Sequence, residues 1–217
     1  MSEDNTPTEL SAFAAALSQT PLEYAQNSVI RVGYGRGFLA QTVDGPVIIT
    51  CAHCLPHMPP AIGSVMRPHE RTYFRLVGAL GAKPTITVEC LFVDPVADVA
   101  VLGEPDGQFY DEAEAYCAFV EERQGLPIAA EQNAALPGVQ RGGAWLTLEG
   151  EWVHHSLEVG ARCVCTSEKN AARGMSGSPI ILDTVRKTVV GVVASGSVHP
   201  RLVTALPAWL LRKLVLR

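Results

Sequence analysis

From Ser28 onward, apolar and polar residues alternate in short runs separated by turn formers, the period-two pattern of half-buried strands. Val29–Tyr34, Gly37–Thr42 and Val47–Cys51 are three such runs, and Asp44-Gly45 between the last two is a strong hairpin signal. Thr72–Val77, Thr85–Val93 and Val99–Leu102 follow. Six short strands with no long helix among them predict an antiparallel barrel. A second series comprises Ala144–Leu148, Glu151–Val159 across Glu149-Gly150, Ala161–Thr166, Ile180–Asp183, Thr188–Ala194 and Leu202–Ala205. The expected fold is therefore all-β, with two antiparallel six-stranded β-barrels.

Three stretches depart from that pattern. Near the start, Thr6 can cap a short helix, Pro7 suits its first position and Glu9 completes a capping box. Leu10, Phe13, Ala14 and Leu17 then share one face, so this helix is expected to pack outside the first barrel. Asp111 to Arg123 is acidic and alanine-rich and predicts a helical turn or more, broken by Gly125-Leu126-Pro127. Pro207–Leu214 predicts a C-terminal helix with Leu210, Leu211 and Leu214 available to pack. The expected organisation is an N-terminal helix and linker over 1–27, a first barrel over 28–103, a connector over 104–140, and a second barrel with the C-terminal helix over 141–217.

Against this background Gly174-Met175-Ser176-Gly177-Ser178-Pro179 carries candidate chemistry. A serine between glycines, closed by a proline, suits a nucleophile on a tight, exposed turn. The glycine two positions earlier lets the N–H groups of Gly174 and Ser176 converge on one point, as an oxyanion hole requires. Gly/Ser/Pro clusters are usually ordinary turns, so two upstream segments matter. Ile48-Ile49-Thr50-Cys51-Ala52-His53-Cys54-Leu55 is a β-branched run ending at a histidine, and Val96–Leu102 sets Asp98 at the mouth of an apolar strand. His53, Asp98 and Ser176 follow one another at gaps of 45 and 78 residues. Among the six histidines only His53 ends an apolar strand in that register, while Asp94, before Pro95, reads as a turn residue.

These segments make the chain similar to the trypsin/chymotrypsin superfamily of serine proteases, whose order is also His, Asp, Ser. His53 sits where that family's Ala-Ala-His-Cys signature has its base. Asp98 matches its Asp-Ile-Ala-Leu-type signature, and Ser176 its Gly-x-Ser-Gly-Gly-Pro signature. The Ser-Gly-Ser-Pro variant resembles bacterial branches such as the staphylococcal V8-type endopeptidases. Gly191–Gly196 looks like the family's substrate-binding strand, and the resemblance spans residues 28–215 apart from 104–140.

The resemblance implies a chymotrypsin-like pair of barrels with the site in the cleft between them. His53 is then the general base, Asp98 its orienting partner and Ser176 the nucleophile. The Gly174 and Ser176 amides form the oxyanion hole. Asn170, six residues before the nucleophile, floors the primary pocket, and Val193, Ala194, Ser195 and Gly196 bind substrate as an added strand. A neutral amide at Asn170 does not suit a substrate Arg or Lys, and Val193 stands where glutamyl enzymes carry a histidine. A neutral residue before the scissile bond is therefore expected. Met175 stands where zymogen-derived members place an aspartate to receive a new N-terminal ammonium. Activation by N-terminal cleavage is not expected; the site is preformed or controlled by a partner, a loop or the N-terminal helix.

Composition narrows the setting. With 217 residues, 47% of them hydrophobic, the chain can bury one large core or two small ones. A net charge of −5 gives no polyanion-binding surface, so no nucleic acid is expected. The longest apolar run is too short to span a bilayer, so no membrane is expected either. Met1-Ser2-Glu3-Asp4-Asn5 is acidic where a secretory signal is basic, and Leu10 to Leu17 is too short and alanine-rich for an export core. A cytoplasmic location is expected.

The six cysteines agree with that location. The resemblance would pair Cys54 with a cysteine on the preceding strand, and Gly37–Gln41 has none, so Cys54 is expected to be a free, packed thiol. Cys51, His53 and Cys54, or Cys163 and Cys165, could furnish zinc ligands. Zinc needs four, and the first cluster would consume the base. No metal and no cofactor are expected.

The function these residues favour is a serine endopeptidase with a protein or peptide substrate, a restricted intracellular target and a regulatory protein partner. A non-catalytic peptide-binding module on the same fold and an esterase are the alternatives.

Overall fold

The computed structural model describes residues 23, 27–42, 45–60, 68–106, 108–128, 139–145, 152–158, 163–167, 174–182, 188–197 and 202–207. The first six strands are β1 (Val29–Val32), β2 (Gly35–Thr42), β3 (Gly45–Thr50), β4 (Thr72–Ala79), β5 (Ile86–Asp94) and β6 (Val99–Gly103). They close a barrel in the order β1-β2-β3-β6-β5-β4, every pairing antiparallel. Ile30, Val32, Phe38, Ile48, Val77, Val88 and Leu102 are wholly enclosed. Each such side chain contributes about 1.5–3 kcal/mol relative to exposure, so the hydrophobic alternation of these strands is what closes the barrel.

The connector holds α1 (Tyr110–Glu121), with Asp111 and Glu112 in the first turn, where the helix dipole favours negative charge. Ala113, Tyr116, Phe119 and Val120 form its buried stripe, and the Tyr116 hydroxyl donates to Pro46 O at 3.0 Å. Beyond it, the chain straps the two halves together. Leu126 N donates to Leu39 O at 2.8 Å, and Val189 N donates to Pro127 O at 2.8 Å.

The later strands are β7 (Val139–Trp145), β8 (Trp152–Glu158), β9 (Cys163–Ser167), β10 (Pro179–Leu182), β11 (Val189–Ser197) and β12 (Leu202–Pro207). Their backbones pair in the order β10-β11-β12-β9-β8-β7, and β10 returns to β7. The expected all-β chain with a closed six-stranded barrel is met.

Most boundaries differ from the sequence pattern by a few residues, and two of the differences have a physical reason. β7 begins at Val139, not Ala144, because pairing with β8 recruits Val139-Gln140-Arg141-Gly142-Gly143, which lacks apolar alternation. Pro207 ends β12 opposite Gly191 instead of opening a helix, a strand-end position that a residue without an N–H tolerates. The expected N-terminal helix and residues 208–214 of the C-terminal one lie outside the described residues. Among the described residues, no helix is long and apolar enough to cross a membrane.

Candidate active site

β3 runs into a 3-10 turn, Ala52–Cys54, closed by Cys54 N to Cys51 O and Leu55 N to Ala52 O, both 3.1 Å. The turn buries Ala52 and Cys54 and leaves the His53 side chain half exposed, because its neighbours anchor it to the barrel. On the opposite side, the Asp94 carboxylate accepts Val96 N at 2.9 Å and Ala97 N at 3.0 Å. This winds the chain to Asp98, which sits at φ +57°, a left-handed conformation that aspartate tolerates better than most residues. Asp94 is thus the turn residue that its place before Pro95 predicts.

Asp98 grips His53 twice. Its Oδ1 accepts the His53 backbone N–H at 3.0 Å, and its Oδ2 lies 2.8 Å from Nδ1. An ionised carboxylate can only accept, so a neutral His53 carries its proton on Nδ1 and keeps Nε2 free as a base.

Ser176 is set by backbone rather than side-chain contacts. Gly174 and Gly177 have φ +88° and +86°, and Ser178 N donates to Met175 O at 2.9 Å. Gly177 N donates to Val193 O at 2.8 Å, while Ser176 O accepts Arg36 N at 2.7 Å from β2. A Cβ on Gly177 would meet Arg36 O at 1.8 Å. One on Gly35 would lie 2.7 Å from Ser176 O and 2.5 Å from Cys54 Sγ, so neither position accepts a side chain without movement. Met175 is buried within the turn, and its carbonyl accepts Ser178 N.

The turn lies beside the base, since Cys54 Sγ, one residue past His53, is 3.6 Å from Ser176 O. The Ser176 hydroxyl itself donates to Ala194 O at 3.4 Å, and no hydrogen bond joins it to His53. Rotation about the serine Cα–Cβ bond is needed to turn the hydroxyl away from Ala194.

The other expected site residues fall in three groups. Gly174 flanks the turn, half-buried. Val193 is committed to structure: its N–H goes to Ser178 O, and its carbonyl takes Gly177 N and Cys51 Sγ at 2.8 and 3.2 Å. Ala194 sits where the β11–β12 register slips, and Ser195 and Gly196 pair with Thr204 and Val203. Asn170 lies outside the described residues. His57 packs its ring 4.9 Å from that of Tyr73 and accepts the Tyr73 hydroxyl on its carbonyl at 2.7 Å.

Sequence reasoning missed Gly35. The missing cysteine partner of Cys54 was sought in Gly37–Gln41, but β2 starts earlier and Gly35 faces the sulfur. Cys54 is a free thiol, as expected. Cys51, His53 and Asp98 bring ligand-type atoms within 4.8 Å of one another, in place of the Cys51, His53 and Cys54 grouping weighed from sequence. The interaction between the two thiols is the largest influence on both. It draws Cys54 down to about 7, helped by the charge of His53 and opposed by burial. It pushes Cys51 well up, reinforced by burial.

Solved structures with this architecture include the protease Rv3671c of M. tuberculosis. Its inactive form shares 20% identity over 92% of each chain, with a TM-score of 0.54. A serine-to-alanine mutant of it, also an inactive form, gives 20% identity over 92% of this chain and 90% of that one, at TM-score 0.55. The active form gives 19% identity over 89% and 82%, at TM-score 0.54. The chain shares their fold. No protein-family model matches it, and no curated protein matches it in sequence.

Proposed function

We propose that the chain is a serine endopeptidase of chymotrypsin-like, two-barrel form, acting on a protein or peptide through an acyl-enzyme. The two-point grip of Asp98 on His53 carries this reading, because it leaves one ring nitrogen basic on a loop whose next residue, Cys54, touches the Ser176 turn. His53 Nε2 takes the Ser176 proton as Oγ attacks the carbonyl, then returns it to the leaving amine. The Gly174 and Ser176 N–H groups hold the oxyanion, each worth roughly 3–4 kcal/mol in comparable sites. Water, with His53 again as base, releases the acyl group.

Substrate pairs along Ala194, Ser195 and Gly196, with Asn170 at the pocket floor and Val193 behind it as a structural support. The Ser-Gly-Ser-Pro sequence favours bacterial V8-type relatives. The free Cys54 thiol favours a cytoplasmic setting, with a restricted target and a regulatory partner. The named M. tuberculosis protease structures, which share this fold, support a protease.

One observation favours a non-catalytic peptide-binding cleft instead: the Ser176 hydroxyl bonds to Ala194 O and not to His53. A fluorophosphonate probe decides between them. The endopeptidase reading expects one covalent adduct, mapped to Ser176 and lost in His53→Ala. An unlabelled, folded protein that still binds peptides would overturn it.

A further inference from the structure

The 3-10 turn that carries His53 is also a Cys-x-x-Cys turn, and the mechanism uses neither sulfur. Cys54 N bonds to Cys51 O at 3.1 Å, so one tight turn separates the two residues. Such closure keeps the Cα atoms within about 7 Å. That overlaps the range of about 4.4–6.8 Å over which a disulfide forms. The two thiols interact with each other, and each also donates to a main-chain carbonyl. Cys51 Sγ donates to Val193 O at 3.2 Å, and Cys54 Sγ to Ser176 O at 3.6 Å.

We propose that Cys51 and Cys54 form a peroxide-sensitive dithiol whose intrachain disulfide disables the site. The two sulfurs are inequivalent in a way that assigns their order of reaction. Cys51 is wholly enclosed, whereas Cys54 keeps 5% exposure and holds its proton less tightly, so Cys54 meets a small oxidant first.

The Cys54 thiolate attacks one oxygen of hydrogen peroxide, breaking the O–O bond to give a sulfenic acid and hydroxide. The Cys51 sulfur then attacks the sulfenic sulfur, its proton leaving with the displaced hydroxyl as water. Two thiols are oxidised by two electrons, and one peroxide becomes two waters.

The consequence falls on the seam. Disulfide formation removes both S–H donors, so Val193 O and Ser176 O lose their sulfur ties. Each then keeps only its backbone partner, Gly177 N and Arg36 N respectively. It also tightens the main chain on either side of His53, whose N–H must stay on Asp98 Oδ1.

The loss of activity rests on the serine-protease reading, whereas the cross-link does not. The test therefore reads them separately, on the full chain treated natively with hydrogen peroxide, acid-quenched and alkylated with N-ethylmaleimide. The expected product is a Cys51–Cys54 linked peptide that dithiothreitol reverses, with enclosed Cys90 unmodified. Fluorophosphonate labelling should slow at least tenfold in the oxidised protein and recover on reduction. Cys51→Ser, which keeps a donor for Val193 O, should retain labelling and lose its reversible peroxide sensitivity.

Cys54 stopping at sulfinic acid, or linking instead to Cys163 or Cys165, would overturn the proposal. So would labelling unaffected by a complete Cys51–Cys54 cross-link. If the reduced protein does not label at all, the protease reading fails while the peptide map still decides whether the dithiol exists.

Discussion

The His53 loop and the Ser176 turn, base and nucleophile on the proposed reading, are built on opposite principles. On the first barrel, side chains set the chemistry: one carboxylate fixes both the backbone and the ring of His53, and Asp94 winds the chain that delivers it. At the Ser176 turn, backbone amides and two side-chain-free residues do the holding, and the hydroxyl points to Ala194 O. On the proposed reading, the base is held through its backbone and Nδ1, which leaves Nε2 free to react. The nucleophile is fixed at its main chain, with its reactive atom one bond rotation from use.

That contrast is most severely tested at the reacting atom. Ser176→Ala should abolish fluorophosphonate labelling and reduce peptide hydrolysis by about 10,000-fold or more, with unchanged circular dichroism. Retained activity in a clean preparation would remove the nucleophile from the comparison. Asp98→Asn comes next. Asparagine tolerates the left-handed backbone, so the fold should survive, while kcat falls by roughly 1,000- to 10,000-fold through loss of the charge and the correct tautomer. A matching fall in melting temperature would mean that Asp98 is chiefly structural.

Gly177→Ala attacks the other side through packing. Its added carbon would overlap Arg36 O, at a φ that alanine rarely adopts. A loss of about 3 kcal/mol or more in urea unfolding is expected, with activity falling about 100-fold in whatever remains folded. Wild-type stability would show that the seam can open freely.

The pH dependence of oxidation is a gentler probe of the base loop. The Cys54 thiol is drawn from its ordinary 9 to about 7, so its reactive thiolate accumulates as pH rises through that value. Peroxide cross-linking should accelerate about tenfold between about pH 6 and about pH 8. A midpoint near 9 would show that Cys51 and His53 exert no such pull.

Tyr73→Phe should have the smallest effect. Removing its hydroxyl bond to His57 O costs roughly 1 kcal/mol of stability. If the carboxylate grip alone positions the base, kcat/KM should change less than twofold. A larger drop would make the loop after His53 part of the positioning apparatus.

Much of the fold was legible because the first six strands are apolar alternations bounded by turn formers, and burial of alternate residues is what a barrel selects. β7 was mislocated for the same physical reason: Val139-Gln140-Arg141-Gly142-Gly143 is held by pairing to β8, which leaves no apolar signature. His53 and Asp98 were legible as polar residues at the mouths of apolar strands. Gly35 was not, since its role comes from where Ser176 O and Cys54 Sγ arrive, more than a hundred and about twenty residues later. The left-handed backbone of Asp98 is equally a product of the turn before it rather than of the residue itself.

The strap through Leu126–Ile128 has a consequence for the order in which a ribosome delivers this molecule. Its Leu126 end docks on β2 at Leu39, so the first barrel, α1 and the His53–Asp98 pair can settle before Ser176 has been made. β12 must then pair with both β9 and β11, so the later strands cannot close until Pro207 has emerged. On the proposed reading, a nascent chain therefore carries its base long before its nucleophile is held in place.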